Sequence, residues 1–162
     1  MLSKIIIDSA TETIEACKEA SLMVTTVESC TGGLVAGALT SVAGSSDVLD
    51  RGFVTYSNEA KNELVGVPLQ LIESYGAVSD EVAHAMAQGG VDRSNAQIAV
   101  SITGIAGPGG GTETKRVGLV HFGCFREGGE VTLYHEVYQG DRDAVRAASV
   151  LQALAMIRQA AG

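Results

Sequence analysis

Ile5, Ile6, Ser9, Thr13 and Cys17 fall roughly on one stripe of a helical repeat, so residues 2 to 20 are expected to open the chain as an amphipathic helix. The next segment, Leu22 to Val27, is short and rich in Val and Thr, which predicts a strand. Gly32 to Val42, rich in Ala and Leu, reads as a helix ending near Gly44. Arg51 to Ser57 has strand composition, and Asn58 to Val65 reads as a short helix with Asn58 as its candidate cap. Pro68 suits the first turn of a helix over Leu69 to Tyr75, closed by Gly76. Ser79, with Glu81 nearby, opens a further helix through Gln88 whose stripe is Val82, Ala83 and Met86.

Ala96 to Thr103 is almost continuously apolar, the pattern of a strand buried on both faces. A long irregular stretch, TGIAGPGGGTETKR, follows. Val117 to Arg126 and Glu130 to Tyr138 then read as two strands around a turn at Gly128-Gly129. Asp141 to Ala161 is expected to be a closing helix with Val150, Leu154 and Ile157 at core spacing. Helices alternating with strands, followed by a hairpin, predict a layered α/β/α domain with a mixed, partly antiparallel sheet, residues 1–162 forming one unit.

Composition narrows the function. A chain of 162 residues with 46% hydrophobic content is long enough for a substantial core. A net charge of −8 argues against an extended nucleic-acid surface, which needs a basic face, yet leaves room for a small anion where a few Arg or Lys converge. Cys17, Cys30 and Cys124 are odd in number and lack CxxC spacing, so neither a disulfide framework nor a structural zinc site is indicated and a reducing cytoplasm fits. Asp8, Glu12, Glu15 and Lys18 interrupt the opening apolar residues, unlike a signal peptide, and no apolar run approaches the length of a bilayer span.

The candidate chemistry begins at VESCTGG, Val27 to Gly33. Ser29 follows a buried-looking strand and precedes two glycines that permit close approach of backbone to a ligand. It is either a nucleophile served by turn amides or a helix cap. Cys30 is a second candidate nucleophile, or a small core residue. A serine needs a base, and His84, His121 and His135, in a predicted helix and two predicted strands, have no evident triad context. Lys61, in YSNEAKNE, is the more informative partner. To act as a base near neutral pH its pKa must fall by roughly three units, or about 4 kcal/mol, which burial beside a tyrosine and away from carboxylates supplies. Tyr56 is close in sequence; Glu59 and Glu63 would oppose the shift if they pointed inward. The alternatives are a solvated helix face for Lys61 and a packed strand ring for Tyr56.

TGIAGPGGG, Thr103 to Gly111, does not match the P-loop, and its G-x-G from Gly107 fails as a dinucleotide fingerprint because Thr112 stands where the last glycine belongs. It remains either a backbone-lined pocket or a long connection. Arg142 and Arg146 share one face at the start of the last helix, where like charges and the helix dipole both disfavour them. An anion between them would remove both costs, as would pairing with Asp141 or Asp143.

Taken in order, VESCTGG, VTYSNEAKNELVGV, GAVSDEVAHAMAQG, SITGIAGPGGGTETKRVG and GDRDAVR resemble the CinA C-terminal domain family over about Thr26 to Arg146. Stand-alone members of that family include nicotinamide-nucleotide amidases. The resemblance implies hydrolysis of the carboxamide of nicotinamide mononucleotide to nicotinate mononucleotide and ammonia, in NAD recycling, with no metal and no cofactor. It implies Ser29 as nucleophile with Tyr56 and Lys61 as activating partners. Cys30, Thr31, Gly32 and Gly33 would form the turn that approaches the substrate, Thr103 and Gly104 would line the pocket, and Arg142 would bind or organise the substrate. It also implies a homo-oligomer. Longer members carry an N-terminal domain whose activity does not transfer, and Arg116 stands where proline is familiar in KPVG-like stretches. The competing reading is a noncatalytic nucleotide-binding or partner-regulating module.

Overall fold

A computed structural model of the protein describes residues 2–162. In chain order the elements are α1 (Lys4–Ala20), β1 (Val24–Glu28), α2 (Leu34–Thr40), β2 (Leu49–Val54), α3 (Asn58–Val65), α4 (Leu69–Tyr75), α5 (Asp80–Asp92), β3 (Ile98–Gly104), β4 (Leu119–Arg126), β5 (Val131–Val137) and α6 (Arg142–Ala161). The strands form one sheet in the order β2-β1-β3-β4-β5. β1 runs parallel to both β2 and β3, whereas β4 and β5 are antiparallel. Helical crossovers build the parallel half and a tight hairpin adds the rest, the mixed α/β sheet expected from the pattern.

Helices α1, α2 and α6 cover one face of the sheet, and α5, with α3 and α4 against it, covers the other. The larger core cluster lies under the first group and includes Ile14, Leu39, Ile98, Phe122, Leu154 and Ile157. A smaller one joins Val27 of β1 to Val65, Ile72, Val82 and Met86 of the second group. β3 is buried from Ile98 to Thr103, as its unbroken apolar run predicts. No described helix is long and apolar enough to cross a membrane.

Several local expectations change. The buried stripe of α1 is Ile6, Ala10, Thr13, Ile14 and Cys17, while Ile5 is 68% exposed. Ile5 and Ile6 stand about 100° apart on the helix, so only one can face a narrow core. Thr13 tolerates burial because its hydroxyl donates to the Ser9 carbonyl (2.7 Å). Ser57, not Asn58, caps α3, its hydroxyl accepting the Ala60 N–H at 3.0 Å. β2 accordingly stops at Val54, and Tyr56 lies in the connection rather than in the strand.

α5 does not end at Gln88 but continues through Gly89 and Gly90 to Asp92. Both glycines serve packing: a Cβ on Gly89 would collide with the Val65 carbonyl of α3, and one on Gly90 would meet Val27 and Ala99 of the sheet. Gly89→Ala is therefore expected to destabilise the fold by about 1–3 kcal/mol, the usual range for overpacking. Urea denaturation measures this, and an unchanged midpoint would contradict the close packing of α3 on α5.

Candidate active site

β1 delivers the chain to the site. Beyond Glu28, the Ser29 N–H still donates to the Ile102 carbonyl of β3 at 2.9 Å, so the serine is held by the sheet. Gly32 (φ 59°) and Gly33 (φ 98°) then turn the chain into α2 through left-handed backbone, which glycine adopts without penalty. The N-cap of α2 is Gly33, with no side-chain cap bond, so Ser29 is not a helix cap. That work falls to Glu28, which is 1% exposed: its carboxylate accepts the Val35 N–H (2.8 Å), the Ala36 N–H (3.1 Å) and the Thr26 hydroxyl (3.1 Å). Three donors compensate the desolvation of a buried carboxylate.

Lys61 projects inward from α3 and is 1% exposed. Its Nζ lies 3.1 Å from Ser29 Oγ and donates to the Thr55 carbonyl at 2.8 Å. No carboxylate pairs with it among the described residues, and Glu59 and Glu63 are exposed. Burial therefore holds the Lys61 amine below its ordinary pKa. A desolvated amine against a serine hydroxyl is the arrangement that a serine-lysine nucleophile pair requires. The solvated-face alternative for Lys61 does not hold.

Cys30 is buried beside Ser29, and burial pushes its thiol up to about 11, so it is not a thiolate at neutral pH. Arg146 clamps the same turn, its Nε donating to the Cys30 carbonyl (3.1 Å) and its Nη2 to the Thr31 carbonyl (3.3 Å). The Gly32 N–H donates to the Ser29 carbonyl at 3.0 Å, whereas the Cys30 and Thr31 amides find no acceptor among the described residues.

Ser29, Cys30 and Lys61 open onto a cavity of about 210 Å³ whose wall also includes Tyr56, Thr103, Gly104 and Arg142. Thr31, Gly32 and Gly33 are not on that wall. The Thr103 hydroxyl is committed to the Ala77 carbonyl (2.8 Å), anchoring the chain before α5. A Cβ on Gly104 would fall 2.7 Å from Val120 Cγ2, so β4 requires the glycine there. Tyr56 is 61% exposed and its hydroxyl accepts from Arg142 Nη2 at 3.1 Å, while Arg142 Nη1 donates to the Gly107 carbonyl at 2.8 Å. The two arginines of α6 thus diverge onto separate carbonyls instead of flanking one anion. These carbonyl dipoles, drawn from distant loops, offset their unfavourable place at a helix N-terminus.

A larger cavity, about 720 Å³, lies among α3, α4, α5 and Leu133. It contains no nucleophile-base pair, so the smaller cavity is the candidate active site. Sequence reasoning passed over Glu28 and gave Asn58 and Arg146 other roles. Glu28 is an acidic residue ending an apolar strand, which was a visible signal. Asn58, read as a cap, lines the cavity. Arg146 acts on a turn more than a hundred residues away, which no local pattern encodes.

The chain is 53% identical over 131 residues to nicotinamide-nucleotide amidohydrolase PncC of Enterobacter agglomerans, covering 81% of this chain and 80% of that protein. It is 48% identical to a putative competence-damage inducible protein of Caldicellulosiruptor bescii, covering 87% of this chain but only 34% of that longer relative. The crystal structure of competence/damage inducible protein CihA from Agrobacterium tumefaciens superposes with a TM-score of 0.96 at 46% identity, covering 99% of this chain and 98% of that one. With the CinA C-terminal domain matching residues 7–161, nearly its whole length, the chain belongs to the CinA C-terminal domain family.

Proposed function

We propose that this protein is a nicotinamide-nucleotide amidase that works through Ser29 and Lys61 in pyridine nucleotide recycling. The observation that carries the reading is the buried pair itself, Lys61 Nζ at 3.1 Å from Ser29 Oγ with no carboxylate paired to the amine among the described residues. The named activity of the Enterobacter agglomerans relative supplies the substrate.

In the proposed reaction Ser29 Oγ attacks the carboxamide carbon as its proton passes to Lys61 Nζ. The Cys30 amide, a turn N–H unpaired among the described residues and belonging to a residue on the cavity wall, is the proposed donor to the developing oxyanion. Lys61 returns the proton to the leaving nitrogen, the C–N bond breaks, and ammonia departs to leave an ester on Ser29. Water, deprotonated by Lys61, attacks the ester, the proton goes back to Ser29 as the C–O bond breaks, and the acid product ionises by releasing its own proton to solvent. Tyr56 and Arg142, bonded to each other at the rim, orient the nucleotide. A cavity of 210 Å³ is below the roughly 300–1,000 Å³ of sites that enclose a whole ligand, so it suits the amide-bearing ring. The ribose phosphate then extends to the rim, where Arg142 and the glycine-loop amides supply donors. A second copy of the chain would complete that rim, and a monomer in sedimentation at assay concentration would remove this part of the proposal. All three cysteines are free, and we place the enzyme in the cytoplasm on that ground.

Cys30→Ser is expected to retain most of the activity, within about threefold, because a thiol held at about 11 contributes little thiolate at pH 7. Complete loss with an intact fold would move the nucleophile to Cys30. The broader reading is tested by incubating the protein with nicotinamide mononucleotide and measuring ammonia against nicotinate mononucleotide. Equal release of both is expected; tight binding in calorimetry with no release would leave a noncatalytic nucleotide-binding module.

A further inference from the structure

Two of the three histidines that found no place beside Ser29 stand together. His121 of β4 and His135 of β5 stand directly opposite each other in the antiparallel register, with ring centroids 5.0 Å apart. Asp80, the first residue of α5, reaches across to both. Its Oδ1 lies 2.7 Å from His121 Nδ1 and 3.7 Å from His135 Nδ1. The donor atoms of all three side chains fall within 4.8 Å of one another. None of the three lines the Ser29 cavity.

We propose that Asp80, His121 and His135 bind a divalent first-row transition ion. Two imidazoles and one carboxylate are a donor set suited to zinc and its neighbours, leaving further positions for water. Metal-ligand distances of about 2.0–2.1 Å in tetrahedral geometry place donor atoms about 3.3 Å apart. The observed 2.7 and 3.7 Å separations bracket that value, so small side-chain rotations close the site. A purely structural role explains only part of the cluster. The bond between His121 and Asp80 ties α5 to the sheet, but His135, at 3.7 Å, is beyond hydrogen-bond distance of the same oxygen. A shared ion uses all three groups. The His135 and Asp80 side chains are 59% and 42% exposed, so the ion has access from solvent. The cysteines, the other strong ligands for such ions, are all buried. Bound metal would link the N-terminus of α5 to the outer hairpin, independently of the amidase reaction.

Titration of metal-free, tag-free protein with zinc chloride in a calorimeter tests this, with cobalt(II) absorption reporting the ligand set. One zinc per chain is expected, with a rise in Tm of about 5 °C at a hundredfold excess over Kd. His135→Ala, at an exposed position outside the His121–Asp80 bond, is expected to keep the apo fold yet weaken zinc binding by about tenfold or more. Asp80→Asn is expected to do the same. Absence of saturable binding to the wild type, or wild-type affinity in both variants, would overturn the proposal.

Discussion

Ser29→Ala is expected to lower kcat for ammonia release from nicotinamide mononucleotide by roughly 10³- to 10⁶-fold, the scale on which serine hydrolases lose activity without their nucleophile. The fold should survive. Ser29 is held by its backbone N–H on Ile102, and among the described residues the hydroxyl removed hydrogen-bonds only Lys61. Because the cavity keeps its shape, substrate binding should change far less than turnover. A circular dichroism melt beside the assay separates the two effects. Turnover within tenfold of the wild type would reduce Ser29 to a residue that merely shapes the turn.

Lys61→Met should be nearly as damaging to activity, yet mild or even favourable for stability. Methionine fills similar volume, so the core is not emptied, and the variant no longer buries an amine. The opposing loss is the bond to the Thr55 carbonyl, about 1–3 kcal/mol if that oxygen is left without a donor. Linkage gives a sharper signature. Lys61 is held below its unfolded pKa of 10.5, so between the two values the unfolded chain binds more protons than the folded one. Stability contributed by this group therefore rises with pH through that window and levels off above the unfolded value. Urea midpoints of wild type and Lys61→Met, compared from neutral pH to about 10.5, should show the wild type gaining on the variant. On the proposed mechanism the same deprotonation is expected to make the wild-type kcat/KM climb with pH. A flat difference in midpoint would mean that Lys61 titrates at its ordinary value.

The elements were legible wherever periodicity or an unbroken apolar run decided them. α5, α6, β3 and the closing hairpin follow from the spacing of Val82 and Met86, from Val150, Leu154 and Ile157, and from the run into Ile102. The misreadings have local causes. Ser57 and Asn58 are both good caps, and only the backbone shows which one the helix uses. Gly89 and Gly90 look like a stop, but they sit where α3 and the sheet approach too closely for a side chain.

The candidate site was partly legible. ESCTGG and YSNEAK each hold one member of the Ser29–Lys61 pair, and the ordered motifs brought them together before any geometry did. The contacts of Arg142 and Arg146 were not legible, because their acceptors are backbone carbonyls of remote loops that leave no trace in residue type. Nor was the meeting of Asp80 with His121 and His135, which depends on the register of the hairpin and the start of α5.

Ammonia release from nicotinamide mononucleotide, measured side by side for the wild type, Ser29→Ala and Cys30→Ser, is the most direct test of a serine amidase. The expected result is turnover by the wild type and Cys30→Ser and none above background by Ser29→Ala. A silent wild type, or an active Ser29→Ala, would contradict it.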